Sequence, residues 1–96
     1  MKIVWSRRAI QHLIALHDRI AKDGPGNAAA VAQRLLDSIE LLSTQPQMGR
    51  PGRIIGTREL VIPGIPYIIP YRVRGGSLEL IAVLHARQKW PTSTVS

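Results

Sequence analysis

The dipeptide Gly75-Gly76 lies between two apolar, β-branched runs, YIIPYRVR at 67–74 and LELIAVLH at 78–85. Two adjacent glycines supply the positive φ that a two-residue hairpin turn needs at both positions. Such a turn also fixes register. It sets Arg74 opposite Ser77, Val73 opposite Leu78, Tyr71 opposite Leu80, Ile69 opposite Ala82 and Tyr67 opposite Leu84. The last four pairs are wholly apolar or aromatic, so they make a face that must be covered. The other face carries Arg72 opposite Glu79, Pro70 opposite Ile81, Ile68 opposite Val83 and Pro66 opposite His85. A further run, TRELVI at 57–62, joins through Pro63-Gly64-Ile65-Pro66 as a third strand and brings Glu59 to this second face. Pro70 is the weak point of the register. It cannot donate a ladder hydrogen bond, and a bulge there shifts half the pairing.

The cover is written upstream. After a short apolar run, KIVW at 2–5, Ser6 stands as an N-cap for a helix over 7–22. Ala9, Ile10, Leu13, Ile14, His17, Ile20 and Ala21 recur at three- and four-residue steps and form its apolar stripe. The breakers Asp23-Gly24-Pro25-Gly26-Asn27 make a turn, with Asn27 placed to cap a second helix over 28–43. Its stripe is Ala28, Ala32, Leu35, Leu36, Ile39 and Leu42, and Pro46 ends it. A loop, PQMGRPGRIIG at 46–56, follows with Arg50 and Arg53 exposed. The order β-α-α-β-β-β predicts a single α+β domain over 1–96, with the helical hairpin on one face of an antiparallel sheet. Trp5 is expected in the core. Trp90 is expected to pin the C-terminal end back on the fold, or to stack on a partner.

Thirteen Lys and Arg against six Asp and Glu give a net charge of +7 on 96 residues. A domain so basic suits a polyanion, whether nucleic acid or an acidic protein. The chain has no cysteine, which excludes disulfides and thiolate metal sites. His12 and His17 do not share a helix face, so no metal is expected. No phosphate loop, dinucleotide fingerprint or serine-nucleophile elbow occurs, and no cofactor is expected. The N-terminus, MKIVWSRRAI, is charged where a signal peptide is apolar, and no run reaches the length of a membrane span. A cytoplasmic protein with no membrane partner is the expectation.

Two readings meet at the polar residues of the open face. Arg72 and Glu79 suit a cross-strand ion pair better than a site. His85 ends its strand beside Arg87 and Lys89, whose charges favour a neutral imidazole able to act as a base or to bind a partner. Arg50 and Arg53 divide between a solvated loop and a partner contact.

The MKIVWS start, the helical hairpin, the Met48-Gly49-Arg50-Pro51 loop after Pro46 and the terminal YIIPYRVRGGSLELIAVLHARQKW hairpin together resemble the RelE/ParE toxin superfamily across nearly the whole chain. The resemblance implies a toxin of a type II toxin–antitoxin module, a plasmid-stabilising or growth-inhibiting pair. Its partner would be a cognate antitoxin that lays an acidic, amphipathic segment on it, giving a hetero-oligomer. RelE-like members cut mRNA on the ribosome and carry an arginine three residues before the strand tyrosine; here that position is Ile68. ParE-like members poison DNA gyrase, and their Tyr-Arg-Val and Val-Leu-His strand ends match Tyr71-Arg72-Val73 and Val83-Leu84-His85. The ParE-like branch is therefore the closer one. If the chain is instead a ribonuclease, His85, Arg87 and Arg58 are its candidate catalytic residues. Arg50, Arg53, Arg72, Lys89 and Trp90 are the candidates for binding the target or the antitoxin.

Overall fold

The computed structural model describes residues 1–87. Their elements are β1 (Lys2–Trp5), α1 (Arg7–Asp23), α2 (Pro25–Leu42), β2 (Arg50–Pro51), β3 (Arg58–Val61), β4 (Tyr67–Arg74), β5 (Ser77–Leu80) and β6 (Leu84–His85). The strands form one sheet in the order β1-β5-β4-β3-β2, with β6 pairing β4 beyond the end of β5. The helical hairpin covers one face, as an α+β chain of this pattern requires. One expectation is corrected: the sheet is mixed, because β1 runs parallel to β5, with Lys2 opposite Ser77 and Trp5 opposite Leu80. The helical hairpin and strands β2 to β4 separate the two in sequence, which gives the long connection that parallel pairing needs.

The glycine turn forms as read. Gly75 and Gly76 have φ of 60° and 78°, and Arg74 opposes Ser77, Arg72 opposes Glu79 and Tyr71 opposes Leu80. Beyond Leu80 the register slips. Ile68 now opposes Leu84, and Tyr67 opposes His85. Three residues, Ile81 to Val83, thus stand against Ile69 and Pro70, which is a one-residue bulge. The cause is Pro70. Ile81 N–H donates to the Pro70 carbonyl at 2.9 Å, but the reciprocal bond from Pro70 to the Ile81 carbonyl has no donor. The Ser6 hydroxyl supplies it, at 2.8 Å. The same oxygen accepts the Ala9 N–H at 3.0 Å and so caps α1. The Ser6 N–H continues the β1 ladder onto the Leu80 carbonyl.

The slip exchanges faces. Leu84 joins Ile81 and Ala82 in a small buried cluster on the side away from the helices, and His85 turns toward α1 with Tyr67. The expected pairs Ile69–Ala82, Tyr67–Leu84, Ile68–Val83 and Pro66–His85 do not form. The main core joins Leu16, Leu35, Ile39 and Leu42 of the helices to Leu60, Ile69, Tyr71, Leu78 and Leu80 of the sheet. Trp5 packs at its margin. The α1 stripe is turned from the expected one. Ala9 and Leu16 are buried and His12 half-buried, while Ile10 and Ile14 stand exposed. The bulge supplies a reason: the Val83 N–H, released from the ladder, donates to His12 Nδ1 at 3.1 Å. α2 begins at Pro25, with Gly24 rather than Asn27 at the cap position, because proline fits the first helical turn, where no N–H partner is needed.

Candidate functional site

Tyr71 organises the loop before β3. Its side chain is fully buried; its hydroxyl donates to the Pro46 carbonyl and accepts the Gly49 N–H, both at 2.8 Å. A Cβ on Gly49 would fall 2.6 Å from the ring and hydroxyl of Tyr71 and 2.9 Å from the Glu59 carbonyl, so this position accepts only glycine. Burial pushes the Tyr71 phenol above its ordinary pKa, against the opposing pull of the Gly49 bond and the Arg58 charge. Arg58 donates to the Gly49 carbonyl at 2.8 Å.

Glu59 opposes Pro70, on the second face as expected, yet it is 1% exposed. Its own loop covers it. Arg50 donates to one carboxylate oxygen from Nε at 3.1 Å and Nη2 at 2.9 Å. The other oxygen accepts the Arg53 backbone N–H at 2.8 Å, with the Arg53 guanidinium at 3.6 Å. A buried carboxylate needs such compensation. Arg50 and Arg53 therefore anchor the loop; neither is simply solvated. Sequence reasoning had no signal for this burial, because the cover comes from residues within the loop itself.

The anchored loop, the end of α2 and the edge of β3 enclose a groove of about 420 Å³ lined by Ser38, Leu41, Met48, Arg50, Glu59, Leu60, Val61 and Pro63. Leu41, Met48 and Val61 are 40–51% exposed along it. β2 pairs only Arg58 and Glu59 of β3, so the edge at Leu60 and Val61 has no strand neighbour among the described residues. An apolar groove beside an open strand edge, with an arginine at its rim, can take an extended or helical segment of another chain.

On the open face Arg72 Nε and Glu79 meet at 2.7 Å, and Arg74 reaches the second oxygen at 3.3 Å. The Arg72 hydrogen bond, with the Arg74 charge, holds the Glu79 carboxyl below its ordinary pKa although desolvation opposes it. This is the ion pair read from the register. His85 does not join it, contrary to expectation. It packs edge-on against Tyr67, with ring centres 5.4 Å apart, and its Nδ1 accepts the Arg87 N–H at 3.1 Å. Arg58 lies opposite Tyr71 and His85 opposite Tyr67, which are about 13 Å apart along β4 at strand rise. The structure thus joins His85 to the Arg87 backbone and sets Arg58 apart. Ile68 is 5% exposed beside Leu84. Lys89 and Trp90 lie outside the described residues. Sequence reading passed over His12 as a site residue. Burial, and secondarily the Arg8 charge, lower its pKa.

Among the described residues, no group of three or more His, Asp or Glu could hold a metal ion, and no helix is long and apolar enough to cross a membrane. The family model described as ParE toxin of type II toxin-antitoxin system, parDE, matches residues 3–90. The Y4kP protein of Sinorhizobium fredii is 46% identical over 90 residues, covering 94% of this chain and 93% of the relative. Toxin RelE2 of Caulobacter vibrioides is 32% identical over 85 residues, covering 88% and 94%. A solved chain of the chromosomal ParDE TA system from P. aeruginosa superposes with a TM-score of 0.83 at 26% identity, covering 91% of this chain and 97% of that one. With its fold and almost its whole length matched, the chain belongs to the ParE toxin family of type II toxin–antitoxin systems.

Proposed function

We propose that this toxin acts by binding DNA gyrase, and that a cognate antitoxin neutralises it by seating an acidic, amphipathic segment in the groove between α2 and β3. The observation that carries the gyrase reading is the scatter of the groups an RNA-cutting site would need. Cleavage at a ribose 2′-hydroxyl needs a base, an acid and a cation on one phosphate. Here Arg58 is bonded to a backbone carbonyl, Arg50 and Arg53 hold Glu59, and Arg72 holds Glu79. The strand position that would offer an arginine holds the buried Ile68. The ParDE likeness supports a toxin–antitoxin hetero-oligomer. A ribosome-dependent endoribonuclease is the second reading, favoured by the likeness to toxin RelE2.

Expression without antitoxin separates the two. Under the gyrase reading DNA synthesis falls first, with DNA-damage signalling, and purified toxin inhibits gyrase supercoiling. Early translation arrest with mRNA cut at ribosomal A sites overturns it. For the antitoxin, Leu41→Glu and Val61→Glu should each abolish neutralisation while toxicity persists; full neutralisation of both variants would dismiss the groove.

A further inference from the structure

The bulge builds a second concavity, remote from the α2–β3 groove. Turning His85 toward α1 places it against a cleft of about 90 Å³ whose lining also includes His12, Arg19 and Tyr67. Small-molecule sites usually offer roughly 300–1,000 Å³, so this one holds a single small group and no nucleobase. Its chemistry is one-sided. None of the described lining residues carries a carboxylate. His12 Nδ1 accepts the Val83 N–H, so a neutral His12 carries its proton on Nε2 and is a donor there. Tyr67 is 8% exposed and lines the cleft, so its phenol is a further candidate donor there. Arg19 has no ion pair among the described residues, and Arg8 stands one turn before His12 on the same helix. By contrast, the arginine pairs at Glu59 and Glu79 are both neutralised in part by a carboxylate.

We infer that this cleft binds a phosphoryl group, with Arg19 supplying charge, His12 an N–H donor and Tyr67 a hydroxyl. A cleft too small for a base accepts the phosphate of a polynucleotide backbone or a free phosphate equally well. This is independent of which cellular target the toxin takes, and no cleavage is attributed to it.

Two-dimensional NMR of the intact protein tests it, with inorganic phosphate and a short mixed-sequence DNA duplex as probes. Saturable shifts should appear in the His12 and His85 rings and in the Val83 and Arg87 amides. Arg19→Gln should weaken phosphate binding about tenfold or more, the usual loss for a charge-assisted bond. Tyr67→Phe should weaken it less, and Arg74→Gln on the opposite face should leave it unchanged. A duplex that binds more tightly than phosphate, with the same sensitivity to Arg19→Gln, assigns the backbone as source; equal binding assigns the free ion. Shifts that fail to saturate, or equal losses from Arg19→Gln and Arg74→Gln, overturn the proposal by showing only diffuse attraction to a basic surface.

Discussion

Replacing Ser6 by alanine removes one oxygen with two duties. It deletes the N-cap of α1, worth about 1 kcal/mol. It also strands the part-buried Ile81 carbonyl that Pro70 cannot serve, at about 1–2 kcal/mol. The expected loss is therefore about 2–3 kcal/mol, or roughly 10–20 °C in Tm for a domain of this size. Urea and thermal denaturation followed by circular dichroism measure it. A second substitution makes the argument sharper. Pro70→Val restores an N–H facing the Ile81 carbonyl, where the reciprocal bond already sits at 2.9 Å. In that background Ser6→Ala should cost about 1 kcal/mol less, because only the cap is then lost. Strict additivity of the two changes, or a Ser6→Ala loss below about 0.5 kcal/mol, would refute the account of the bulge.

Arg50→Ala should cost about 2–3 kcal/mol, because it leaves a buried carboxylate with Arg53 alone; Arg72→Ala, on a half-buried pair whose carboxylate keeps Arg74, should cost less, and equal losses would contradict this. Tyr71→Phe should cost about 2 kcal/mol by stranding the Pro46 carbonyl and the Gly49 N–H, with faster amide exchange at Gly49 as the local check. The folded Tyr71 pKa lies above the ordinary 10.0, so its un-ionised form contributes stability below that pH which is lost as pH rises through the folded value. Tyr71→Phe should flatten this alkaline loss. The folded His12 pKa lies below the ordinary 6.5. Stability is therefore complete above that pH and falls as acid carries it down through the folded value, since a protonated ring cannot accept the Val83 N–H. His12→Gln should abolish the slope in this window; an unchanged slope would place its origin elsewhere.

The hairpin was legible because its information is local. Gly75-Gly76 fixes the turn, and Arg72 and Glu79 lie close enough to it that no other element intervenes. The helices were legible from their breakers and stripes, and the Ser6 cap from its position. What escaped the sequence depends on distant partners. Pro70 announced a possible bulge, but its size and direction depend on Ser6, which reaches Ile81 across the fold. That slip moved His85 from one face to the other and turned α1 so that His12, not Ile10 or Ile14, meets the sheet. Glu59 was placed on the right face, but its burial depends on loop backbone geometry that carries no periodic signal. The family match was legible from the order of motifs, and the geometry of those motifs explains why Gly49 and Tyr71 occur together.

The parallel strand also sets a schedule. Lys2–Trp5 is synthesised before the helices, yet among the described residues its strand partner is Ser77–Leu80. At synthesis rates of roughly 5–20 residues per second, the helical hairpin and half the sheet emerge while this first segment has nothing to lie against. Truncated or stalled products therefore lack an edge of the sheet and the carbonyl that fixes the start of α1. Such fragments would lack β5, the strand that joins β1 to β4.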